Sequence, residues 1–197
     1  MQKFSILSSI LLALGALPAT ADDLDTVINP IEDAKVGEWA EYRSEVIVHS
    51  PEGEDIQEAV SRVEVVAVVG FRVELQVTEG EGDTKSEQVI HLVSSDPVLA
   101  QLTGGYTEVK VEASEAERTD LELGGKTYRT QKVHLVFTGK GRMHGMTVPM
   151  RVDQTVWFCT DVPATGQVQS ISKIEFELFS QKIVQEVNTT LSGSSAG

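Results

Sequence analysis

Hydrophobic and polar side chains alternate along much of the chain after residue 37. In the clearest run the apolar positions are Phe71, Val73, Leu75 and Val77, with Arg72, Glu74, Gln76 and Thr78 between them. A period of two is typical of a β-strand that buries one face. The alternation therefore predicts strands, and no segment of useful length after residue 40 has the period of a helix.

The dipeptide Gly70-Phe71 predicts a tight hairpin between two strand-like runs. A type II′ turn places glycine at the first of its two central positions, which is where Gly70 stands. In that register Val68 faces Val73. Val66 then faces Leu75, so the hairpin has one consistently apolar face.

The remaining strand-like runs complete an all-β pattern. They are Glu38–Val48, Val60–Val69, Glu87–Val93, Asp120–Leu123, Lys126–Thr138, Met150–Cys159, Gln167–Phe179 and Gln181–Val187, with a second tight hairpin at Gly124-Gly125. Short helical or turn character is confined to Asp22–Val36 and Ser94–Leu102. We expect a single strongly curved antiparallel sheet, a half-barrel or open barrel, with one or two short helices. A sandwich is the alternative, although its strands are usually only about five or six residues long.

The first residues of the chain have the order of a secretory signal peptide. A short positive start at Lys3 precedes an uncharged apolar run, and Ala19-Thr20-Ala21 is a small-x-small cleavage site. The apolar run is shorter than the roughly 20 residues that a membrane-spanning helix needs. We expect residues 1–21 to be a signal peptide, 22–191 a single antiparallel β domain and 192–197 a disordered tail. The predicted location is periplasmic or secreted, and the protein is not expected to be integral to the membrane.

Charge and cysteine content narrow the range of partners. The 197 residues carry 16 Lys and Arg against 30 Asp and Glu, a formal charge of −14. This acidic balance argues against nucleic acid and against anionic membrane surfaces, which attract basic patches. Cys159 is the single cysteine and lies beside Trp157 and Phe158. We expect it to be buried and to form no disulfide within the monomer.

Residues that could carry chemistry are sparse. The sequence shows no recognisable nucleophile motif, phosphate-binding loop or paired-histidine zinc motif, so we predict no catalytic residues and no cofactor. A cluster of thioether and imidazole groups does occur at Met143, His144, Met146 and Met150. These ligand types select copper, Cu(I) especially. The same segment is explained without metal as a flexible glycine-containing loop with adaptable apolar side chains, and we prefer this interpretation. We therefore predict that Cu(I) binds there weakly or not at all.

The apolar faces of the predicted strands are broad. A long amphipathic helix would usually cover such a face, and the chain offers none. We therefore expect an apolar groove that takes a lipid or an apolar protein segment, and the alternative is a barrel filled by its own side chains. The candidate ligand-binding residues are Val66, Val68, Val73, Leu75, Leu135, Phe137 and Phe176.

Two short segments resemble a known group of exported bacterial proteins. Trp157, Asp161-Val162-Pro163 and Gly166, followed by the strand Gln167–Phe179, form a tryptophan, turn, glycine and strand unit. This unit resembles the broad lipoprotein-carrier-like group, whose curved antiparallel half-barrels hold acyl chains or lipoproteins. The opening segment Val36–Tyr42 is similar to the first strand of exported proteins with such sheets. The resemblance implies a half-barrel fold and identifies no site residue.

Taken together, the sequence predicts an exported, non-catalytic binding module of the cell envelope. Its curved sheet would hold an apolar ligand or partner segment. Two other functions stay open: a structural or interaction protein of the envelope that binds no ligand, and a periplasmic copper-binding protein that uses the Met143–Met150 segment. An apolar face larger than the short helical segments can cover would favour the binding module.

Overall fold

The structure is a computed structural model that describes residues 27, 29–80, 85–96, 98–143 and 146–195. The predicted signal peptide, residues 1–21, lies outside the described residues. In the described part of the chain, no helix is long and apolar enough to cross a membrane.

The described residues form one curled antiparallel sheet of nine strands, a half-barrel, which confirms the predicted fold class. The strands are β1 Trp39–Ser50, β2 Gly53–Val69, β3 Arg72–Glu79, β4 Ser86–Val93, β5 Thr107–Leu123, β6 Lys126–Met143, β7 Met146–Phe158, β8 Gln167–Leu178 and β9 Gln181–Ser194. A five-residue helix, α1 Val98–Leu102, lies between β4 and β5. The strand order is β4-β3-β2-β1-β9-β8-β7-β6-β5, so β4 and β5 are the two edges.

Glycines set two of the hairpin turns. Gly70 has φ 61°, as the first central position of a type II′ turn requires, and Val69 pairs with Arg72 across the turn. Gly124 and Gly125 have φ 59° and 80°, and two positive φ values define a type I′ turn. Both predicted hairpins therefore form where the glycines stand.

The predicted register of the first hairpin is wrong beyond its tip. Val68 pairs with Val73, but Leu75 pairs with Val65 rather than with Val66. Val66 is the extra residue of a β-bulge, which leaves it outside the regular ladder and 36% exposed. A bulge shifts all later positions by one residue, and the alternation of side chains alone does not reveal it.

Three other boundaries also differ from the sequence prediction. Gly139 and Gly141 belong to β6, which continues to Met143, rather than to a flexible loop. The predicted tail from Ser192 begins instead as part of β9, because Gly193 lies against the Trp39 ring and the Ser195 amide donates a hydrogen bond to the Trp39 carbonyl. β5 begins at Thr107 rather than near Asp120. It is an edge strand with charged residues on both faces, so the alternation is weak there.

The core consists of two main clusters of buried side chains. The larger joins β1–β4 to the turn after β7, and it contains Cys159. The smaller packs α1 against β6 and β7, with Val98 and Leu99 against Leu135 and Phe137. Cys159 is free and 4% exposed, which confirms the predicted burial, and burial raises the pKa of its thiol.

Two buried serines on neighbouring strands have opposite hydrogen-bond status. Ser44 and Thr189 share a hydrogen bond of 2.9 Å between their hydroxyls. Ser61 Oγ is the one enclosed side-chain polar atom in the described residues that has no partner. An enclosed hydroxyl without a partner loses its hydration and gains nothing in return.

We predict that Ser61→Ala raises the free energy of unfolding by about 1 kcal/mol, because it removes an unpaired buried hydroxyl. Ser44→Ala should lower it by about 1 kcal/mol, since the Thr189 hydroxyl loses its partner. Urea unfolding of both variants measures the two effects. Equal losses in the two variants would contradict the assignment.

Candidate ligand-binding cavity

The concave side of the sheet encloses an open cavity of about 510 Å³. Side chains of β1, β7, β8 and β9 line most of it, and the loop that follows α1 forms part of another wall. Pockets that hold small molecules usually measure about 300–1,000 Å³. The half-barrel therefore leaves an interior space of ligand size that its own side chains do not fill.

Strand register fixes which side chains are neighbours at the two ends of the cavity. At one end Met150 pairs with Phe176, and Phe176 with Ile183; we call this the Phe176 end. At the other end Tyr42 pairs with Leu191 on the neighbouring strand; we call this the Tyr42 end. Both ends are mainly apolar. Ile174 and Val152 extend the apolar surface from the Phe176 end, and Val63 and Ile31 add to it at the Tyr42 end.

A band of uncharged polar side chains lies between the two apolar ends. Gln154 pairs with Ser172 on the next strand, and Gln185 is diagonal to Ser172 across the β8–β9 pair. Such diagonal neighbours are about 7–8 Å apart at their Cα atoms, within reach of a long side chain. Ser170 and Thr189 continue the band toward the Tyr42 end. The cavity is therefore apolar at each end and hydrogen-bonding in the middle.

Gln154 and Gln185 differ in how their amides are satisfied. The Gln154 side chain donates a hydrogen bond of 3.1 Å to the Leu102 carbonyl, which fixes it to the end of α1. Gln185 is 7% exposed and makes no hydrogen bond through its side chain within the described chain. Among the described residues, Ser61 Oγ is the one side-chain polar atom that protein encloses without a hydrogen-bond partner. The Gln185 amide also has no partner, so it is not enclosed by protein. The Gln185 amide therefore opens onto the cavity that it lines.

The segment before β1 closes the Tyr42 end. Asn29 Nδ2 donates hydrogen bonds to the carbonyls of Ser94 and Asp96, and Asn29 Oδ1 accepts one from Gln101. These bonds tie the segment to the connection between the two edge strands. The next residues, Pro30 and Ile31, lie against the turn before β8, and Ile31 is 1% exposed.

A hydrogen-bonded tyrosine supports the same end from inside. The Tyr42 hydroxyl donates to the Gln167 carbonyl at 3.1 Å and is also hydrogen-bonded to the Thr165 hydroxyl. Burial raises the pKa of Tyr42 well above its ordinary value, so the phenol stays neutral. The Tyr42 side chain is thus hydrogen-bonded to two residues and uncharged.

Charge is nearly absent from the cavity. Of the described residues that line it, Arg142 alone is charged, and it is exposed. Arg142 follows Gly141 in β6. Of these two neighbours, Gly141 faces the buried Met150. Since side chains alternate along a strand, Arg142 is directed toward the other face of the sheet.

The predicted ligand-binding residues separate into three environments. Phe176 lines the cavity. Four others are buried in the core: Val73 and Leu75 in the larger cluster, and Leu135 and Phe137 in the smaller one against α1. Val66 and Val68 lie near the tip of the β2–β3 hairpin and are 36% and 39% exposed. The structure therefore brings Phe176 alone, of these residues, to the cavity.

The predicted metal ligands do not share one environment either. Met143 and Met146 pair at the tip of the β6–β7 hairpin, and Met146 is 38% exposed. Met150 lines the cavity, four residues further along β7, which corresponds to about 13 Å at the rise of a strand. His144 lies outside the described residues. Among the residues that the structure describes, no group of three or more His, Cys, Asp or Glu side chains is placed to hold a metal ion.

Sequence reasoning missed most of the cavity lining, including Tyr42, Gln154, Ser172 and Gln185. In β9 the inward residues include Gln185 and Thr189, and the outward residues between them are also polar. Without a contrast between the two faces, the period of two gives no signal. The pairing of Ser172 with Gln154 becomes visible only when the strand order is known.

Comparison with known proteins adds little to this description. No protein-family model and no curated protein sequence matches the chain. Among solved structures, the chain is similar to the S-type phycobiliprotein lyase CPES from Guillardia theta, with a TM-score of 0.37 and 9% sequence identity. The match covers 90% of this chain and 100% of that one. The function proposed for this chain therefore rests on its own cavity.

Proposed function

We propose that this chain is an exported, non-catalytic binding protein of the cell envelope that holds a mainly apolar small molecule inside its half-barrel. The observation that carries the proposal is the open cavity of about 510 Å³, which lies on the concave face of the sheet. Burying apolar surface contributes about 25 cal/mol per Å². An acyl chain or a similar apolar group therefore has a favourable place in this space.

Export is proposed from the signal-like order of residues 1–21. The buried thiol of Cys159 suits a non-catalytic function, because a reactive cysteine has a lowered pKa whereas burial raises this one. A binding protein needs a preformed cavity and no activated nucleophile.

Titration with a hydrophobic fluorescent dye and with a fatty-acyl probe tests the proposal. We expect saturable binding of the dye and its displacement by the acyl probe. Native mass spectrometry of protein purified from its own host is expected to show a retained small molecule. Failure of both probes to bind, together with protein that carries no retained molecule, would overturn the proposal.

A cavity-filling variant locates the binding. Val187→Trp places an indole on the cavity floor, where Val187 lies between Ser172 and β1. Displacing about two methylene groups of a ligand costs about 1.6 kcal/mol, so we expect affinity to fall by about tenfold or more. The control is Asn188→Trp, on the opposite face of the same strand, which should leave affinity unchanged. Equal losses in the two variants would place the binding elsewhere.

A further inference from the structure

We propose that the cavity selects an uncharged acyl compound, an ester or an amide, and that the Gln185 side chain recognises its carbonyl linkage. The inference rests on the function proposed above and names the chemical class of its ligand. Gln185 is 7% exposed, lines the cavity and has no hydrogen-bond partner for its side chain in the described chain. Because its amide opens onto the cavity and no group of the described chain satisfies it, a ligand inside the cavity can supply the hydrogen-bond partner.

The surroundings of Gln185 define what that partner is. Ile174 lies directly opposite on β8 and Val48 directly opposite on β1, so the amide emerges from an apolar floor. Ser172 is its diagonal neighbour, and the Ser172 hydroxyl also makes no hydrogen bond within the described chain. One amide N–H donor and one hydroxyl donor thus converge on the same region, which suits a carbonyl oxygen with two lone pairs.

The position of the band along the cavity sets where the carbonyl lies in the ligand. Apolar side chains extend on both sides of it, toward Phe176 and toward Val63. A molecule with a polar group at its terminus would leave one apolar end of the cavity without contacts. A linkage flanked by hydrocarbon on both sides matches both ends.

The absence of inward charge argues against a free fatty acid. A carboxylate beside Gln185 and Ser172 would have no cation next to it, because the one charged residue among the described lining residues, Arg142, is exposed and lies on β6. Burying a carboxylate without a paired charge is far costlier than burying an ester or amide that is hydrogen-bonded. We therefore expect discrimination against the acid at neutral pH.

Dye displacement by three probes of similar length tests the inference: a twelve-carbon carboxylate, and the butyl ester and the N-butyl amide of the eight-carbon acid, each below the concentration at which it forms micelles. In the unmodified protein the ester and the amide should displace the dye at a lower concentration than the carboxylate. In Gln185→Leu the affinity for ester and amide should fall by about fivefold, the effect of losing one hydrogen bond, while dye binding is kept.

Two control variants separate the alternatives. Gln169→Leu makes the same chemical change on the opposite face of the β8–β9 pair and should alter no affinity. Arg142→Gln removes the one charge among the described residues that line the cavity and so tests for an acid ligand. Preference for the carboxylate, lost in Arg142→Gln, would overturn the inference in favour of an acid ligand.

Equal affinity for the three probes, or an equal loss for all three in Gln185→Leu, would overturn the inference while the proposed function stands. Failure of the dye and of every probe to bind the unmodified protein would instead overturn the proposed function.

Discussion

Phe137→Ala should lower the free energy of unfolding by about 3–5 kcal/mol, the range found for removing a phenyl ring from a packed core. The Phe137 side chain is 0% exposed and lies in the cluster that joins α1 to the sheet. Its ring meets the Tyr106 ring edge to face, with centroids 5.1 Å apart and an interplanar angle of 77°. Truncation removes this contact and leaves a void between α1 and β6. Urea denaturation with constant m-values measures the loss.

The matched control for Phe137→Ala is Phe179→Ala, because Phe179 is 81% exposed at the β8–β9 turn. Substitutions of exposed side chains usually change stability by no more than about 0.5 kcal/mol. Phe137 was expected from the sequence to contact a ligand, whereas the structure places it in the core. If Phe137→Ala has a small effect on stability and causes a large loss of dye binding, Phe137 contacts the ligand, and its placement in the core is contradicted.

The fold was predictable because one face of several strands is buried and the other is not. The alternation from Phe71 to Thr78 locates β3, and Gly70 and Gly124-Gly125 locate two hairpins. Antiparallel connection through short turns then follows. The features that were missed are local departures from this rule: the bulge at Val66, and the charged edge strand that begins at Thr107. In both regions, the side chains on the two faces of the strand do not differ in polarity, so the alternation gives no signal.

The cavity was harder to predict than the fold because it depends on strands that are distant in sequence. Gln154, Ser172 and Gln185 come together only through the order β9-β8-β7 and its register. A search for apolar faces favours residues that prefer burial, and in this protein such residues mostly fill the core. The side chains that line an open cavity are instead half-buried and mixed in polarity, as Ser172 and Ile174 are. Phe176 was found because it is apolar and also borders the cavity.

Closure of the Tyr42 end depends on a glycine that the segment before β1 touches. Gly166 has φ 66°, a conformation that costs about 1–2 kcal/mol for a residue with a Cβ atom. A Cβ atom at this position would lie 2.2 Å from Pro30 Cβ, so Pro30 must move. Overpacking of this kind adds about 1–3 kcal/mol. We therefore expect Gly166→Ala to lower the free energy of unfolding by about 2–5 kcal/mol in urea denaturation.

The Gly125→Ala variant separates the two contributions to the loss of stability in Gly166→Ala, which are backbone strain and the contact with Pro30. Gly125 has φ 80°, and a Cβ atom there would meet nothing within 4 Å, so this variant bears the backbone strain alone. The difference between the two variants then measures the contact with Pro30. If Pro30 moves, Ile31 should lose its burial, and hydrogen exchange at the Ile31 amide should rise in Gly166→Ala but not in Gly125→Ala. Identical stability and exchange in the two variants would show that the segment before β1 does not close the Tyr42 end.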